Sequence, residues 1–87
     1  MHETSLMSHL MQQIVSTAGT EGAARVTAVS VWIGALTGLS AAHFREHFEQ
    51  ATAGTVAAGA TAGITVSSDP QHPHAQDVLL EGIEVEV

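Results

Sequence analysis

Residues 25–40 read RVTAVSVWIGALTGLS, a valine- and isoleucine-rich run that ends in a glycine and a turn. Branched β-carbons suit a pleated surface and crowd a helix, so Arg25 to Leu36 is expected to be a full strand. Val29, Val31, Ile33 and Ala35 would share one face of it. Val26, Ala28, Ser30, Trp32 and Gly34 would share the other, which is mixed but not polar, so both faces are expected to be partly covered. The TGLS that follows signals a turn, with Ser40 as the N-cap of the next element.

Working outward from this strand, Ala41 to about Ala53 reads as a helix whose apolar stripe is Phe44, Phe48 and Ala51, stopped by Gly54. Upstream, Leu6, Met7, Leu10, Met11, Ile14, Val15 and Ala18 recur at helical spacing, predicting a helix from Ser5 to Ala18 capped by Thr4 or Ser5. Gly19 and Gly22 bracket the turn after it. Downstream, the small residues TVAAGATAG connect to ITVSS, a short strand, and then to DPQHPHAQD at 69–77, a polar loop broken by two prolines. The closing VLLEGIEVEV alternates Leu79, Ile83, Val85 and Val87 against Glu84 and Glu86, a half-exposed strand with Gly82 as its candidate bulge. Strands joined through a helix run parallel with a right-handed crossover, and the last strand returns antiparallel. The expected fold is α+β, with two helices packed on one face of a small three-stranded mixed sheet, as one domain over residues 1–87.

With 87 residues the chain can hide about 60 to 65 per cent of its unfolded surface. The aromatics are only Trp32, Phe44 and Phe48, so the core depends on few large side chains. Two basic residues against nine acidic ones give a formal charge of −7. That charge repels phosphate backbones and anionic lipid, which argues against nucleic acid and membrane as partners. There is no cysteine, hence neither a disulfide framework nor a thiolate metal site. With no basic leader and no long apolar run, a cytoplasmic protein is expected. GTVAAGATAG lacks the lysine and following helix of a phosphate-binding loop, and no serine, histidine and aspartate set has catalytic spacing, so no enzyme is expected.

The candidate chemistry lies in histidine. In MHETSL the Met1 amine, the His2 amide and the His2 imidazole can close adjacent chelate rings, with the Glu3 amide or carboxylate, or a partner's group, in the fourth place. Nickel(II) favours nitrogen donors and accepts this tetragonal arrangement. First residues are most often merely solvated, so the tripeptide by itself is weak. His72 and His74 could complete a nickel sphere or simply belong to a polar connector. His43 and His47 stand four apart on one helix face without an obvious third ligand, and His9 reads as a surface residue. Trp32 is either a packing residue or an interface anchor.

Taken together, MHETSL, ARVTAVSVWIGALTGLS, HFREHFEQATAGTVAAGATAGI and GIEVEV resemble the HypA/HybF nickel metallochaperones. They are similar to that family's MHE start, its RVxxVxxxIGAL strand, its RFxFExxxxGTxAEGAxL segment and its last strand. The resemblance implies a nickel carrier for [NiFe]-hydrogenase, or urease, with Met1, His2 and Glu3 as nickel ligands. It further implies a HypB-type GTPase and a hydrogenase large subunit as partners, and it leaves a homo-oligomer open. In the family a zinc domain with two CxxC motifs is inserted where this chain has the loop 69–77, so no zinc is expected. Ser40 stands where relatives often carry an acid, and Ala58 where the pattern has Glu. The alternative is an adaptor that docks on a hydrogenase or its precursor, through Trp32, the terminal strand edge or the first helix, without delivering metal.

Overall fold

A computed structural model describes residues 3–87, with side chains from residue 5 onward. Its elements are α1 (Glu3–Thr20), β1 (Arg25–Ile33), α2 (Ala41–Thr52), β2 (Thr61–Val66) and β3 (Val78–Glu86). β1 is central, parallel to β2 and antiparallel to β3. This is the expected two-layer α+β arrangement, with both helices contributing to a single core.

α1 begins earlier than expected, so Thr4 and Ser5 lie inside it rather than capping it. Nothing in MHET breaks a helix, and an acidic residue in the first turn suits the positive end of the helix dipole. At its other end α1 runs through Gly19. There Gly22, at φ 64°, lets its own N–H reach the Gly19 carbonyl and the Ala23 N–H reach the Ala18 carbonyl. That pair of bonds is a Schellman closure, and it needs a residue that tolerates positive φ. Leu6, Met7, Leu10, Ile14 and Ala18 are buried, while Val15 is 48% exposed, so the buried stripe is narrower than the apolar pattern.

β1 stops at Ile33, not Leu36, because Gly34 to Thr37 form a turn closed by the Thr37 N–H and hydroxyl on the Gly34 carbonyl. Val26 is buried together with Val29, Val31 and Ile33, against the expected alternation. The cause is a bulge. Val26 pairs with Val85 and Ala28 with Glu84, leaving Thr27 as an extra residue that returns Val26 to the helix side. β3 has the opposite irregularity, since Ser30 pairs with Gly82 and Val31 with Leu80, making Glu81 the extra residue next to the expected Gly82. Leu79 therefore pairs with Trp32, whereas Leu80, Ile83 and Val85 pack against the core. β2 starts at Thr61, three residues before the expected ITVSS, because the ladder to β1 admits the small Ala62 and Gly63.

α2 buries Phe44 and Phe48 on the core, as its stripe predicted, together with Thr52, whose hydroxyl donates to the Phe48 carbonyl. Burying each ring contributes about 2 to 3 kcal/mol. Ser40 caps α2 as expected, its Oγ accepting the His43 N–H at 3.1 Å. A Ser40→Ala substitution should cost about 1 kcal/mol and lower the thermal midpoint by about 4 to 8 °C. An unchanged midpoint in thermal denaturation would show that this bond does not hold the start of α2.

Candidate metal centre

Met1, His2 and the side chain of Glu3, the ligands expected from the sequence, lie outside the described residues. The other five histidines are His9 on α1, His43 and His47 on α2, and His72 and His74 in the loop 69–77.

On the β3 side, the loop 69–77 is seated against the end of β1. Gly34 donates its N–H to the Asp77 carbonyl at 2.9 Å, and Leu36 donates to the Ala75 carbonyl at 2.7 Å. Gly34 is buried beneath this loop, and a β-carbon there would overlap the Ala75 carbonyl. The seating brings His74, Asp77 and Val78 into one cavity of about 590 Å³ with Ser5, Leu6 and His9 of α1. His74 Nδ1 stands 2.9 Å from the Asp77 carboxylate. A carboxylate that accepts from Nδ1–H leaves the Nε2 lone pair available, the usual support of a metal-binding histidine.

His72 has a different role. Its Nδ1 lies 3.0 Å from the backbone N–H of His74, which can only donate. The neutral His72 ring therefore carries its proton on Nε2, so neither nitrogen presents a free lone pair while the bond lasts. Its ring also lies against Trp32, with centroids 4.6 Å apart. Trp32 sits half-buried on the sheet face away from the helices, so it is neither core nor fully open. Of the two loop histidines, His74 is arranged as a donor and His72 as a structural contact.

On the α2 side, Met7 and Ser8 line a cleft with His47, and further along the same helices Val15 and Ser16 line another with Ala51. α1 and α2 thus rise side by side in the same direction. His43 and His47 approach at 3.1 Å between their Nε2 atoms. Among the described residues, no group of three metal-binding side chains forms a ready-made site.

Sequence spacing pointed to the His43 and His47 pair but not to the cleft that sets His47 beside Met7 and Ser8 of α1. It also missed Asp77 as the partner of His74, and the convergence of His9 with His74, because no periodicity links residues so distant along the chain. No helix among the described residues is long and apolar enough to cross a membrane.

The family model for HypA, described as a hydrogenase/urease nickel incorporation metallochaperone, matches residues 1–71. The solution structure of the Ni metallochaperone HypA from Helicobacter pylori superposes with a TM-score of 0.79 at 19% identity. The match covers 99% of this chain and 98% of that one. At that identity the likeness is one of fold. None of the curated proteins matches the sequence.

Proposed function

We propose that this chain, which belongs to the HypA family of hydrogenase/urease nickel-incorporation metallochaperones, binds Ni(II) reversibly at its amino terminus and hands it to an apo [NiFe]-hydrogenase. The family is one of carriers, so the chemistry required is ligand exchange and not catalysis. The observation that carries the reading is a family match that starts at residue 1 and so takes in Met1, His2 and Glu3.

The donor set suits the ion. An amine, an amide nitrogen and an imidazole from consecutive residues occupy three places of a square plane without straining the backbone, and they are nitrogen donors throughout. The fourth place falls to Glu3 or to an exchangeable group. His74 is the described residue best prepared for that place, since Asp77 holds its ring and its cavity adjoins the first turns of α1. An exchangeable fourth ligand keeps affinity moderate, which a carrier needs in order to release its ion. Without a cysteine the chain offers no thiolate site, and zinc has no part in this proposal. A HypB-type GTPase and the hydrogenase large subunit are the partners this reading implies.

Nickel titration of the untagged chain tests it. His2→Ala, or one residue added before Met1, should remove the first equivalent of bound nickel and the visible absorption of planar four-coordinate Ni(II). Retention of both in either variant would overturn the reading.

A second reading has one observation in its favour. The sheet face away from the helices is uncovered, with Ala28, Ser30, Gly63 and Gly82 lining a shallow groove beside Trp32. An adaptor would dock on its client through this face. A client complex formed equally well by His2→Ala and weakened by Trp32→Ala would favour it.

A further inference from the structure

We propose that His43 and His47 form a two-imidazole site for a divalent transition-metal ion, Ni(II) included, that does not need the amino-terminal ligands. The pair is built on a rigid element: α2 is capped by Ser40 at its first turn and anchored by Phe44 and Phe48 on its buried side. Residues four apart on a helix project in the same direction. Here the ring centroids are 4.8 Å apart and the planes are inclined at 51°.

The Nε2 separation is 3.1 Å. Imidazole nitrogens bind such ions at about 2.0 to 2.1 Å, so two of them on adjacent corners lie about 2.9 Å apart at a right angle and about 3.4 Å apart at a tetrahedral angle. The observed spacing falls between these limits, so an ion enters without a change of helix geometry. In the metal-free pair, an N–H···N bond requires one ring to be protonated on Nε2 and the other to accept. Metal binding moves that proton to Nδ1, after which both Nε2 lone pairs converge on the ion. His43 is exposed and His47 half-buried, so the ion reaches the pair from solvent and exchanges readily. His47 also lines a cleft with Met7 and Ser8 of α1, which sets the pair beside the amino-terminal helix.

The test uses the full chain with His2→Ala and one serine added before Met1, which disables the terminal chelate. Titrated with nickel chloride in a calorimeter, this protein is expected to bind one equivalent without the planar visible absorption. Adding His47→Ala should weaken binding about a hundredfold, because a single imidazole loses the effective concentration of its neighbour. His43→Ala should act alike, with circular dichroism confirming the helix in each variant. Absence of binding in the parent of this series, or equal binding in its folded His47→Ala and His43→Ala derivatives, would overturn the proposal. Neither result bears on the terminal site, whose planar absorption is read in the unextended chain.

Discussion

Phe48→Ala is expected to remove about 3 to 5 kcal/mol of stability and to lower the thermal midpoint by more than about 12 °C. The ring is 1% exposed and lies 5.8 Å from that of Phe44, nearly parallel to it at 24°. Truncation loses both the transfer free energy of the ring and its contacts, and leaves a cavity that the surrounding core refills only in part. A chain of this size has a total stability of about 4 to 13 kcal/mol, so one substitution takes up a large share of it. α2 has only 12 residues, too few to persist as an isolated helix, and depends on this buried face for its existence. The loss should therefore extend to chemistry, because His43 and His47 are held together by the same helix. Urea unfolding followed by far-ultraviolet circular dichroism checks the expectation. A loss below about 1 kcal/mol would mean that α2 does not depend on the core as described.

The same helix shows why much of the fold is readable in the sequence. Phe44 and Phe48 keep a helical spacing, Ser40 stands at the cap, and glycine follows the end, so local propensity and tertiary packing agree there. The valine run of β1 is legible for the same reason. What resists reading is any feature created by two segments together. Thr27 is an ordinary strand residue until β3 pairs across it, and only that pairing makes it the extra residue that turns Val26 toward the helices. The start of β2 is hidden because Ala62 and Gly63 have no strand preference of their own and are recruited by the ladder to β1. The metal centre divides along the same line. MHE and the four-residue spacing of His43 and His47 are local patterns. The opposite assignments of His72 and His74 come instead from single hydrogen bonds, and the placing of that loop depends on Gly34.

Gly34→Ala is accordingly expected to lift the loop 69–77 from the sheet and to cost about 2 kcal/mol or more. The added β-carbon would overlap the Ala75 backbone, which cannot rotate away as a side chain can. Relief requires the loop to move, and that breaks the bonds from the Gly34 and Leu36 N–H groups to Asp77 and Ala75, each contributing about 1 kcal/mol. Trp32 reports the movement, being the only tryptophan in the chain and carrying the His72 ring against its own. Its emission should shift to the red and become more open to quenching by iodide as that ring withdraws. Gly82→Ala is the matched control, since a β-carbon there meets nothing within 4 Å, and it should change stability by less than about 1 kcal/mol. An unshifted Trp32 spectrum with full stability in Gly34→Ala would show that the loop is not seated on this glycine. The variant also separates the two flanks of the metal centre. Displacing the loop takes His74 and Asp77 away from α1 but leaves Ser40, His43 and His47 in place, because the bonds of α2 to Ser40, within the His43 and His47 pair and to Ala62 do not run through residues 69–77. If His74 supplies the fourth position at the terminal site, Gly34→Ala weakens the first nickel equivalent while the second, on α2, is unchanged. If both are unchanged, the fourth ligand comes from Glu3 or from the client, and the loop 69–77 serves the sheet alone.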